Sequence, residues 1–437
     1  MNATDTDLII AGGGLAGATL ALALAREVPS LRVTVVERFP LAADALPADY
    51  QPSYDARSTA LAWGSRRVFD ALGLWAQLSA HAAPIRHIHV SDRGHFGATR
   101  LHARDHGQDA LGYVVDNRWM GLCLMSALAD TGVRWRAPAE VTGMAPTPDG
   151  VTVTVSDNGT EERLSARCLV VADGGRSGLR EALGFVTHTE DYAQHALIAN
   201  VTTQETHGFT AYERFTDAGP MALLPQGSPD LPGRRSALVW TLPKHELDAL
   251  LTLSEADRCA RLQARFGWRL GRFTRMGECH HYPLRLITVD NAVRPGVALV
   301  GNAAHALHPV AGQGFNLALR GLMTLVEQFR TAVAADQPIG ALPVLQAYQD
   351  AHRRDWQQTV RFSDSLIRLF GPDQPWVSTA RDAGLVGLDL LPGAKRWFAR
   401  RAMGVGGRKP VLGQTPNPLP SRSSNPAGNG NMTRHDQ

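Results

Sequence analysis

Cysteine is scarce in this 437-residue chain. The four cysteines, Cys123, Cys168, Cys259 and Cys279, form no Cys-x-x-Cys pair and have no spacing typical of zinc ligands. This usage fits a reducing compartment and predicts no structural metal. The sequence also lacks a basic stripe with interleaved aromatic residues, which argues against nucleic-acid binding. The first residues, MNATDTD, are acidic where a secretion signal would be basic, so we expect a cytoplasmic protein.

Long uncharged runs are also few. The longest near the start, Leu8 to Ala25, has no charge over eighteen residues, close to the length of a short membrane span. It contains three consecutive glycines and follows an acidic segment. A strand, a turn and a helix are therefore a better interpretation than a membrane span.

Charge is unevenly distributed along the chain. Of a net charge of +3, the segment from Lys395 onwards contributes +7, with eight Lys or Arg residues against the single Asp436. The stretch Lys395–Arg401 combines basic and aromatic residues, which indicates either peripheral contact with the inner face of a membrane or a solvated helix end. From Gly404 the sequence lacks periodicity and has few large apolar residues, so 404–437 is predicted to be a disordered tail.

The N-terminal pattern predicts a βαβ unit. An apolar strand, Asp7–Ala11, leads through a glycine turn into the helix Leu15–Arg26, and a β-branched strand follows at Leu31–Glu37. Buried strands are also predicted far along the chain, at Arg167–Ala172 and Val297–Val300. A parallel sheet must therefore be assembled from a discontinuous domain. Val151–Val155 and the region 192–283 alternate like antiparallel strands, and 339–403 is helical.

The glycine turn carries the strongest chemical signal. Gly12-x-Gly14-x-x-Gly17 lies between strand and helix, and Glu37 ends the next strand. Such glycines let backbone approach a pyrophosphate at a helix N-terminus, while a terminal acid binds ribose hydroxyls. A glycine turn without ligand is the alternative. The motif does not choose between FAD and NAD.

Two other motifs are weaker. Asp173-Gly174 follows the strand at 167–172, and an N-capped loop without ligand explains it as well as a cofactor site. Arg57 in the stretch Asp55–Leu61 precedes an amphipathic helix predicted to run through Leu72. This arginine is expected to contact either a cofactor or, in the simpler alternative, Asp55 in a surface ion pair.

The most distinctive stretch is Gly301–Asn316, GNAAHALHPVAGQGFN, between the strand at 297–300 and a helix predicted at Phe315–Phe329. The turn Gly312-Gln313-Gly314 lies at that helix N-terminus, which stabilises an anion by up to ~2 kcal/mol. A reduced flavin is such an anion. His305 and His308 are candidate proton relays, although capping a strand or hydrogen bonding to backbone is the favoured role for each.

Together these motifs resemble the class A flavoprotein aromatic hydroxylases, which share the 4-hydroxybenzoate hydroxylase fold. Asp55–Leu61, Tyr212–Phe215 with Gly219–Pro225, and Gly301–Asn316 are most similar to the ubiquinone-biosynthesis hydroxylases of the 2-polyprenyl-6-methoxyphenol type. The resemblance covers roughly residues 7–403. Many members have aspartate where this chain has Asn302, whose amide can still bind a hydroxyl.

The resemblance implies an α/β fold with a Rossmann-like FAD-binding domain, an antiparallel substrate domain and a C-terminal helical segment. We expect the FAD-binding domain at 1–75, 105–185 and 288–338, the substrate domain at 76–104 and 186–287, and the helical segment at 339–403. It implies FAD contacts from Gly12, Gly14, Gly17, Glu37, Arg57, Asp173, Asn302, Gly312, Gln313 and Gly314. Because the fold has no second dinucleotide domain, the Asp173-Gly174 motif would also serve NADH or NADPH. The basic residues Arg176 and Arg180 after it would meet a cofactor phosphate or simply cap a surface.

The implied reaction is hydroxylation of a polyprenylated phenol by a flavin hydroperoxide formed from O₂ after reduction by NAD(P)H. His305, His308 and Pro309 are the candidates at the reacting ring, and Tyr212, Phe215, Leu223 and Pro225 are the candidate substrate-lining residues. The odd spacing of Tyr212 and Phe215 puts them on opposite strand faces. Alternatives are a hydroxylase of small soluble aromatics, a reductase, or a non-catalytic scaffold subunit of a quinone-synthesis complex.

Overall fold

The computed structural model describes residues 6–41, 46, 50, 57–94, 97–175, 178–227, 232–306, 312–369 and 391–406, with only the backbone described at 362–369 and 392. Several predicted features lie outside these ranges. They are Asp55, Arg176, His308, Pro309 and the tail from residue 407.

The helices predicted after the two glycine turns are confirmed, whereas the helices at Lys244–Leu251 and Glu255–Phe266 lie within 192–283, where only antiparallel strands were predicted. Helix α1 starts where expected, and the helix after the second glycine turn begins two residues earlier and ends five residues later than predicted. The helices are α1 Leu15–Glu27, α2 Trp63–Ala71, α3 Trp75–Ser79, α4 Asn117–Ala129, α5 Leu179–Ala182, α6 Lys244–Leu251, α7 Glu255–Phe266, α8 Gln313–Ala334, α9 Leu342–Leu369 and α10 Pro392–Ala402.

The strands form two large and two small sheets. In chain order they are β1 Leu8–Ala11, β2 Val33–Val36, β3 Ser58–Ala62, β4 Ala82–Ile85, β5 His87–Asp92, β6 Ala98–His102, β7 Gly112–Asp116, β8 Arg134–Arg136, β9 Glu140–Thr147, β10 Gly150–Asp157, β11 Thr160–Ala166, β12 Cys168–Val171, β13 Thr187–Thr203, β14 Thr210–Thr216, β15 Gly219–Pro225, β16 Arg235–Pro243, β17 Phe273–Met276, β18 His280–Val289, β19 Val293–Arg294, β20 Val297–Leu299 and β21 His305–Ala306.

The cofactor-side sheet has the order β19-β20-β12-β1-β2-β8. Its strands β20, β12, β1, β2 and β8 run parallel, with Ile10 opposite both Val170 and Val35. Helices α1, α4, α8 and α9 cover one face, and the antiparallel sheet β9-β10-β11 with α5 covers the other. Burial on both faces explains why these strands are continuously apolar. The discontinuous parallel sheet predicted from sequence is confirmed.

The second large sheet has the order β21-β18-β13-β16-β15-β14-β5-β6, with β17 beside β13. All of its pairs are antiparallel except β14 with β5. Helices α6 and α7 pack on one face, which we call the outer face. The opposite face, which we call the cleft face, contacts β4 and β7 through Ala211 and Leu224, and α10 through Phe215. The antiparallel sheet expected for 192–283 is confirmed.

One local prediction was wrong. Arg57 does not directly precede a helix, because residues 58–62 form β3, which pairs antiparallel with β7. Ser58 lies opposite Asp116 and Ala62 opposite Gly112, and α2 begins only at Trp63. The backbone groups of this segment are thus satisfied by a neighbouring strand. In the described part of the chain, no helix combines the length and apolar character needed to cross a membrane.

Candidate cofactor and substrate site

The first glycine turn packs too tightly for side chains at two of its glycines. Gly12 has a φ of +102°, and a Cβ there would lie 2.7 Å from the carbonyl oxygen of Ala172. A Cβ on Gly17 would lie 1.9 Å from the carbonyl oxygen of Gly12. These glycines therefore allow β1, α1 and the end of β12 to approach each other closely.

Gly14 differs from its neighbours because it faces open space. Apart from its chain neighbours and the backbone of α1, no atom of the described residues lies within 4 Å of the position that a Cβ on Gly14 would take. Gly14 is the N-cap of α1, and no side chain caps that helix. The first amides of α1 and their partial positive charge thus border a space that a phosphate can enter. This arrangement fits a pyrophosphate.

Glu37 lies directly beside this turn. Its Oε2 accepts a 2.6 Å hydrogen bond from the amide of Gly13, and its Oε1 accepts a 2.9 Å bond from the amide of Phe39. A carboxylate offers about four lone-pair sites, so it retains capacity for two ribose hydroxyls. The backbone holds the carboxylate in the place that the sequence motif predicts.

The second glycine turn starts α8. Gly312 has a φ of +59° and is the N-cap, and Gln313 is buried. Outside its own helix, no atom of the described residues lies within 4 Å of a Cβ placed on Gly314. As in α1, no side chain caps the helix. Its first N–H groups can therefore stabilise negative charge on a bound group.

Asn316 fastens this turn to β3 and α2. Its Oδ1 accepts hydrogen bonds from the amide of Ala62 at 2.8 Å and from Ser65 Oγ at 2.7 Å. Its Nδ2 donates to the carbonyls of Ala60 at 2.9 Å and Gly312 at 2.8 Å. The sequence motif contained Asn316 but predicted no role for it. The only signal was an amide side chain in a buried turn of a helix, where polar atoms need hydrogen-bond partners.

The loops that follow β12 and β20 meet next to the first turn. Asp173 Oδ1 accepts a 2.8 Å hydrogen bond from the amide of Gly175, and a Cβ on Gly175 would lie 2.9 Å from the carbonyl oxygen of Asn302. Arg180 is 5% exposed and donates to the carbonyl of Ala303 at 3.2 Å. Arg180 therefore joins the two loops, whereas the sequence pattern predicted a phosphate contact or a surface cap. The side chain of Asn302 is exposed.

Arg57 directly precedes β3 and is exposed. Its carbonyl accepts a 2.9 Å hydrogen bond from the amide of Asn117, while Thr59 Oγ1 donates to Asn117 Oδ1 at 2.6 Å. These bonds fix the backbone of Arg57 beside α4. Its contact with a cofactor stays a prediction.

His305 contacts two residues of α9. Its Nε2 lies 3.4 Å from Nε2 of His352 on α9, and its ring lies 5.7 Å from the ring of Trp356. Desolvation and the proximity of His352 lower the pKa of His305 to about 3. Burial lowers the pKa of His352 to about 4. Both rings are neutral at neutral pH, which favours a packing role for His305 over a charged relay.

The substrate-lining candidates are divided between the two faces of the second sheet. Tyr212 and Leu223 pack on the outer face, where the Tyr212 ring lies 5.7 Å from that of Phe266. Phe215 packs on the opposite face with Val90 and Phe398. Tyr212 and Phe215 thus face opposite sides, as their spacing predicted. The cover by α6 and α7 argues against substrate contact by Tyr212 and Leu223.

The residues that line the cleft face were not predicted from the sequence. Leu224 lies opposite Ala237, which in turn lies opposite Asn200, and Ala222 and Val239 form the next row. Alternation alone could not identify them, because it assigns two faces without saying which one a helix covers.

A buried polar group connects this sheet to β3, immediately beyond Pro225. Gln226 Nε2 donates to Ser58 Oγ at 2.6 Å, and Arg235 Nε donates to Gln226 Oε1 at 3.1 Å. Gln226 and Arg235 are 7% and 4% exposed. The cleft face is thereby held next to the second glycine turn, which Asn316 fastens to the same strand. Pro225 lies at this junction.

Comparison with known proteins agrees with this geometry. Residues 5–363 match the model of the family described as FAD binding domain. The chain belongs to this family. FAD is its cofactor, and the protein is an FAD-dependent monooxygenase, as the sequence resemblance predicted.

Two curated relatives cover nearly the whole chain. The ubiquinone hydroxylase UbiL of Rhodospirillum rubrum is 37% identical over 91% of this chain and 90% of its own length. The 3-demethoxyubiquinol 3-hydroxylase of Escherichia coli is 29% identical over 93% of this chain and 100% of its own length. The p-nitrophenol 4-monooxygenase PnpA of Pseudomonas putida shares the fold, with a TM-score of 0.73, 19% identity and coverage of 92% and 98% of the two chains.

No metal centre accompanies the flavin site among the residues that the structure describes, since no three His, Cys, Asp or Glu side chains are grouped to hold one.

Proposed function

We propose that this FAD-dependent hydroxylase acts on the aromatic ring of a polyprenylated phenol in ubiquinone biosynthesis, with O₂ and NADH or NADPH as co-substrates. The observation that carries the proposal is the 37% identity with a ubiquinone hydroxylase over 91% of the chain. The two open glycine turns add support, because they face space that a cofactor can occupy.

The residues proposed to hold FAD follow the carboxyl ends of the parallel strands β1, β2, β12 and β20 of the cofactor-side sheet. The first amides of α1 at Gly14 would bind the pyrophosphate, Glu37 the adenosine ribose, and the turn Gly312-Gln313-Gly314 the charged edge of the ring system. Bound FAD supplies the activation of O₂ with electrons from the nicotinamide. Asn302 and Asp173, on the two loops that meet beside α1, are proposed to contact the middle of the cofactor.

The chain itself would position the phenol and keep water away. The cleft face offers apolar or small side chains at Ala222, Leu224, Ala237 and Val239. Such a wall suits an aromatic ring with an apolar tail and limits side reactions with water. Phe215 remains a candidate at one end of this wall, whereas Pro225 shares the strand face of Leu223 and stays a candidate only as part of the junction with β3. His305 and His308 remain the candidates for moving the phenolic proton.

Product analysis tests this proposal. The purified FAD-loaded protein is expected to oxidise NAD(P)H and to yield a hydroxylated product from a short-chain prenylated phenol, with much less product from 4-hydroxybenzoate. Product from 4-hydroxybenzoate alone would favour a hydroxylase of soluble aromatics. Uncoupled NAD(P)H oxidation without product would indicate a reductase. A colourless protein that takes up no FAD would support the scaffold alternative.

A matched pair of variants tests the cleft face. Leu224→Trp fills the proposed substrate space and is expected to lower turnover of the prenylated phenol by about tenfold or more. Ala260→Trp adds the same side chain at an exposed position of α7 and is expected to leave turnover unchanged. Equal turnover in both variants would refute substrate binding at this face.

We also propose that α10 makes the peripheral membrane contact. Helix α10 carries Lys395, Arg396, Arg400 and Arg401, while Trp397 and Leu391 are 54% and 61% exposed. Residues 391–406 include no acidic side chain. Cations beside exposed apolar groups suit an anionic lipid surface.

Flotation with anionic vesicles tests this contact. Trp397→Ala combined with Arg396→Gln is expected to lower the bound fraction, whereas Trp268→Ala, at another exposed tryptophan, is expected to leave it unchanged. Assembly into a quinone-synthesis complex is a further part of the proposal, and co-purification with other enzymes of the pathway would test it.

A further inference from the structure

The indole of Trp135 packs against the first glycine turn. Trp135 is the middle residue of β8, the edge strand of the cofactor-side sheet, and it lies opposite Val35 of β2. A Cβ placed on Gly13 would lie 2.6 Å from Cζ3 of the indole. Because any side chain at Gly13 would collide with this ring, glycine is what allows the indole to lie on the backbone of the turn.

The carboxylate of Glu37 borders the same position. A Cβ on Gly13 would lie 3.2 Å from Oε2 of Glu37. Backbone pairing continues beyond the strand ends, since the amide of Glu37 donates to the carbonyl of Arg136 at 2.9 Å and the amide of Ala139 donates to the carbonyl of Glu37 at 2.7 Å. The indole and the carboxylate are therefore neighbours at the carboxyl ends of β2 and β8, the side on which open parallel sheets bind ligands.

Trp135 is not enclosed by the protein. One part of it packs against the hydrophobic core on the α1 side, and the side chain keeps surface that is accessible to solvent. Gly14, the residue after the contact with the indole, is exposed and faces open space. Trp135 thus combines contact with the turn and surface that a ligand can cover.

A second aromatic side chain follows Glu37. The amide of Phe39 donates a 2.9 Å hydrogen bond to Oε1 of Glu37, which fixes the backbone of Phe39 beside the carboxylate. Its phenyl ring is nevertheless 69% exposed. A group bound at Glu37 would remove part of this apolar surface from water, which is favourable.

We propose that Trp135 and Phe39 form the binding surface for the adenine base of FAD. Glu37 is the proposed contact of the adenosine ribose, and the base is bonded to that ribose, so it must lie next to the same carboxylate. Aromatic side chains stack on nucleobases through their π-faces. The inference rests on the proposed position of the ribose and adds two residues that the glycine motif did not indicate.

Titration of the full-length apoprotein with FAD, and separately with ADP, tests the proposal. ADP contains the adenosine half of FAD and lacks the flavin, so its binding does not require the second glycine turn. Trp135→Ala and Phe39→Ala are each expected to weaken binding of both ligands about tenfold. Trp268→Ala removes another exposed aromatic side chain and is expected to leave both affinities unchanged. Unchanged ADP affinity in Trp135→Ala would overturn the assignment of Trp135, and the same result in Phe39→Ala would overturn that of Phe39.

Tryptophan fluorescence separates stacking from damage to the packing of the turn. Adenine stacked on the indole is expected to quench part of the tryptophan emission during the ADP titration. Trp135→Phe keeps an aromatic ring, so it is expected to bind ADP within about threefold of the unchanged protein and to lose this quenching. This variant is decisive even if Trp135→Ala fails to fold. Undiminished quenching in Trp135→Phe would show that adenine stacks elsewhere.

These measurements are independent of hydroxylation. Absence of a hydroxylated phenol together with the expected loss of ADP binding would refute the proposed substrate and support the adenine site. Hydroxylation of the prenylated phenol by a protein whose ADP affinity does not respond to Trp135→Ala or Phe39→Ala would refute the adenine site alone. Glu37→Gln belongs in the same titration, and its normal ADP binding would refute the ribose position on which the inference rests.

Discussion

The side chain of Asn316 donates a 2.8 Å hydrogen bond back to the carbonyl of Gly312, the residue that starts the same helix. The turn proposed to accept the cofactor is thereby closed by a residue of the first turn of α8. Because the same side chain also bonds Ala60, Ala62 and Ser65, the turn is fixed to β3 and α2 as well. One amide group thus determines where the α8 N-terminus lies relative to Arg57 at the start of β3.

Asn316→Ala is expected to destabilise the protein by about 3 kcal/mol and to weaken FAD binding, because it leaves several buried backbone groups without partners. Asn316→Asp keeps the acceptor but loses both donated bonds. Thermal unfolding and FAD titration would measure the two effects. Asn291→Ala is the control, since its 3.3 Å bond to Gln349 is exposed. Unchanged stability of Asn316→Ala would contradict the structural role.

Two glycines of the first turn are expected to respond in opposite ways to alanine. Gly17→Ala places a methyl group against the carbonyl oxygen of Gly12 and is expected to cost about 3 kcal/mol of folding stability. Gly14→Ala meets no protein atom within 4 Å, so its melting temperature without FAD should match that of the unchanged protein. The same methyl group would occupy cofactor space and weaken FAD binding. If Gly14→Ala bound FAD normally, the pyrophosphate would have to lie elsewhere.

Glu37→Gln is expected to weaken FAD binding about tenfold, because a neutral amide accepts hydrogen bonds from ribose hydroxyls less strongly than a carboxylate. Flavin fluorescence during titration of the apoprotein would measure the change. Glu140→Gln alters a nearby carboxylate whose ion pair with the exposed Arg38 is 3.8 Å long, and it should bind FAD normally. Equal weakening of FAD binding in Glu37→Gln and Glu140→Gln would show that the loss of negative charge in this region, and not a direct contact with Glu37, lowers the affinity.

Stability is expected to fall on acidification because of the buried pair His305 and His352. Their pKa values are lowered to about 3 and about 4, below the ordinary value of 6.5. As pH falls below about 6.5, the unfolded chain takes up protons that the folded chain cannot accept until about pH 4. Each such group removes about 1.4 kcal/mol of stability per pH unit in that window.

Urea unfolding between pH 4.5 and 7.5 would measure this slope. His352→Gln is expected to reduce it by roughly the contribution of one proton. His87, His89 and His207, whose pKa values are also lowered, contribute to both proteins alike, so the difference reports on His352 and its effect on His305. Tyr348→Phe, which retains the ring stacked 6.0 Å from His352, should keep the slope unchanged. An identical slope in His352→Gln would contradict a neutral buried His352.

Local sequence patterns were sufficient to predict several main elements of the fold. The βαβ unit, α8 and the distant strands of the parallel sheet were predictable because burial on both faces requires continuous apolar runs and because helices have a clear period. The glycines and Glu37 were predictable for the same local reason. A turn that brings its backbone close to a phosphate favours glycine at the positions where a side chain would block the approach.

What escaped prediction depends on partners remote in sequence. Residues 58–62 form a strand because β7 lies beside them, and nothing in their own sequence specifies that partner. Tyr212 faces α7 and Leu224 faces the cleft because helices cover one side of the sheet. Arg180 was assigned to a surface or a phosphate, since its acceptor on Ala303 lies 123 residues away.

The order β20-β12-β1-β2 also has a consequence for synthesis of the protein. A nascent chain that has emerged only to residue 290 carries the first glycine turn but lacks β20 and the second turn. With the proposed FAD contacts, such a chain would offer one end of the cofactor site without the other. We therefore expect stable flavin loading only after α8 has left the ribosome, so that cofactor binding would indicate a nearly complete polypeptide.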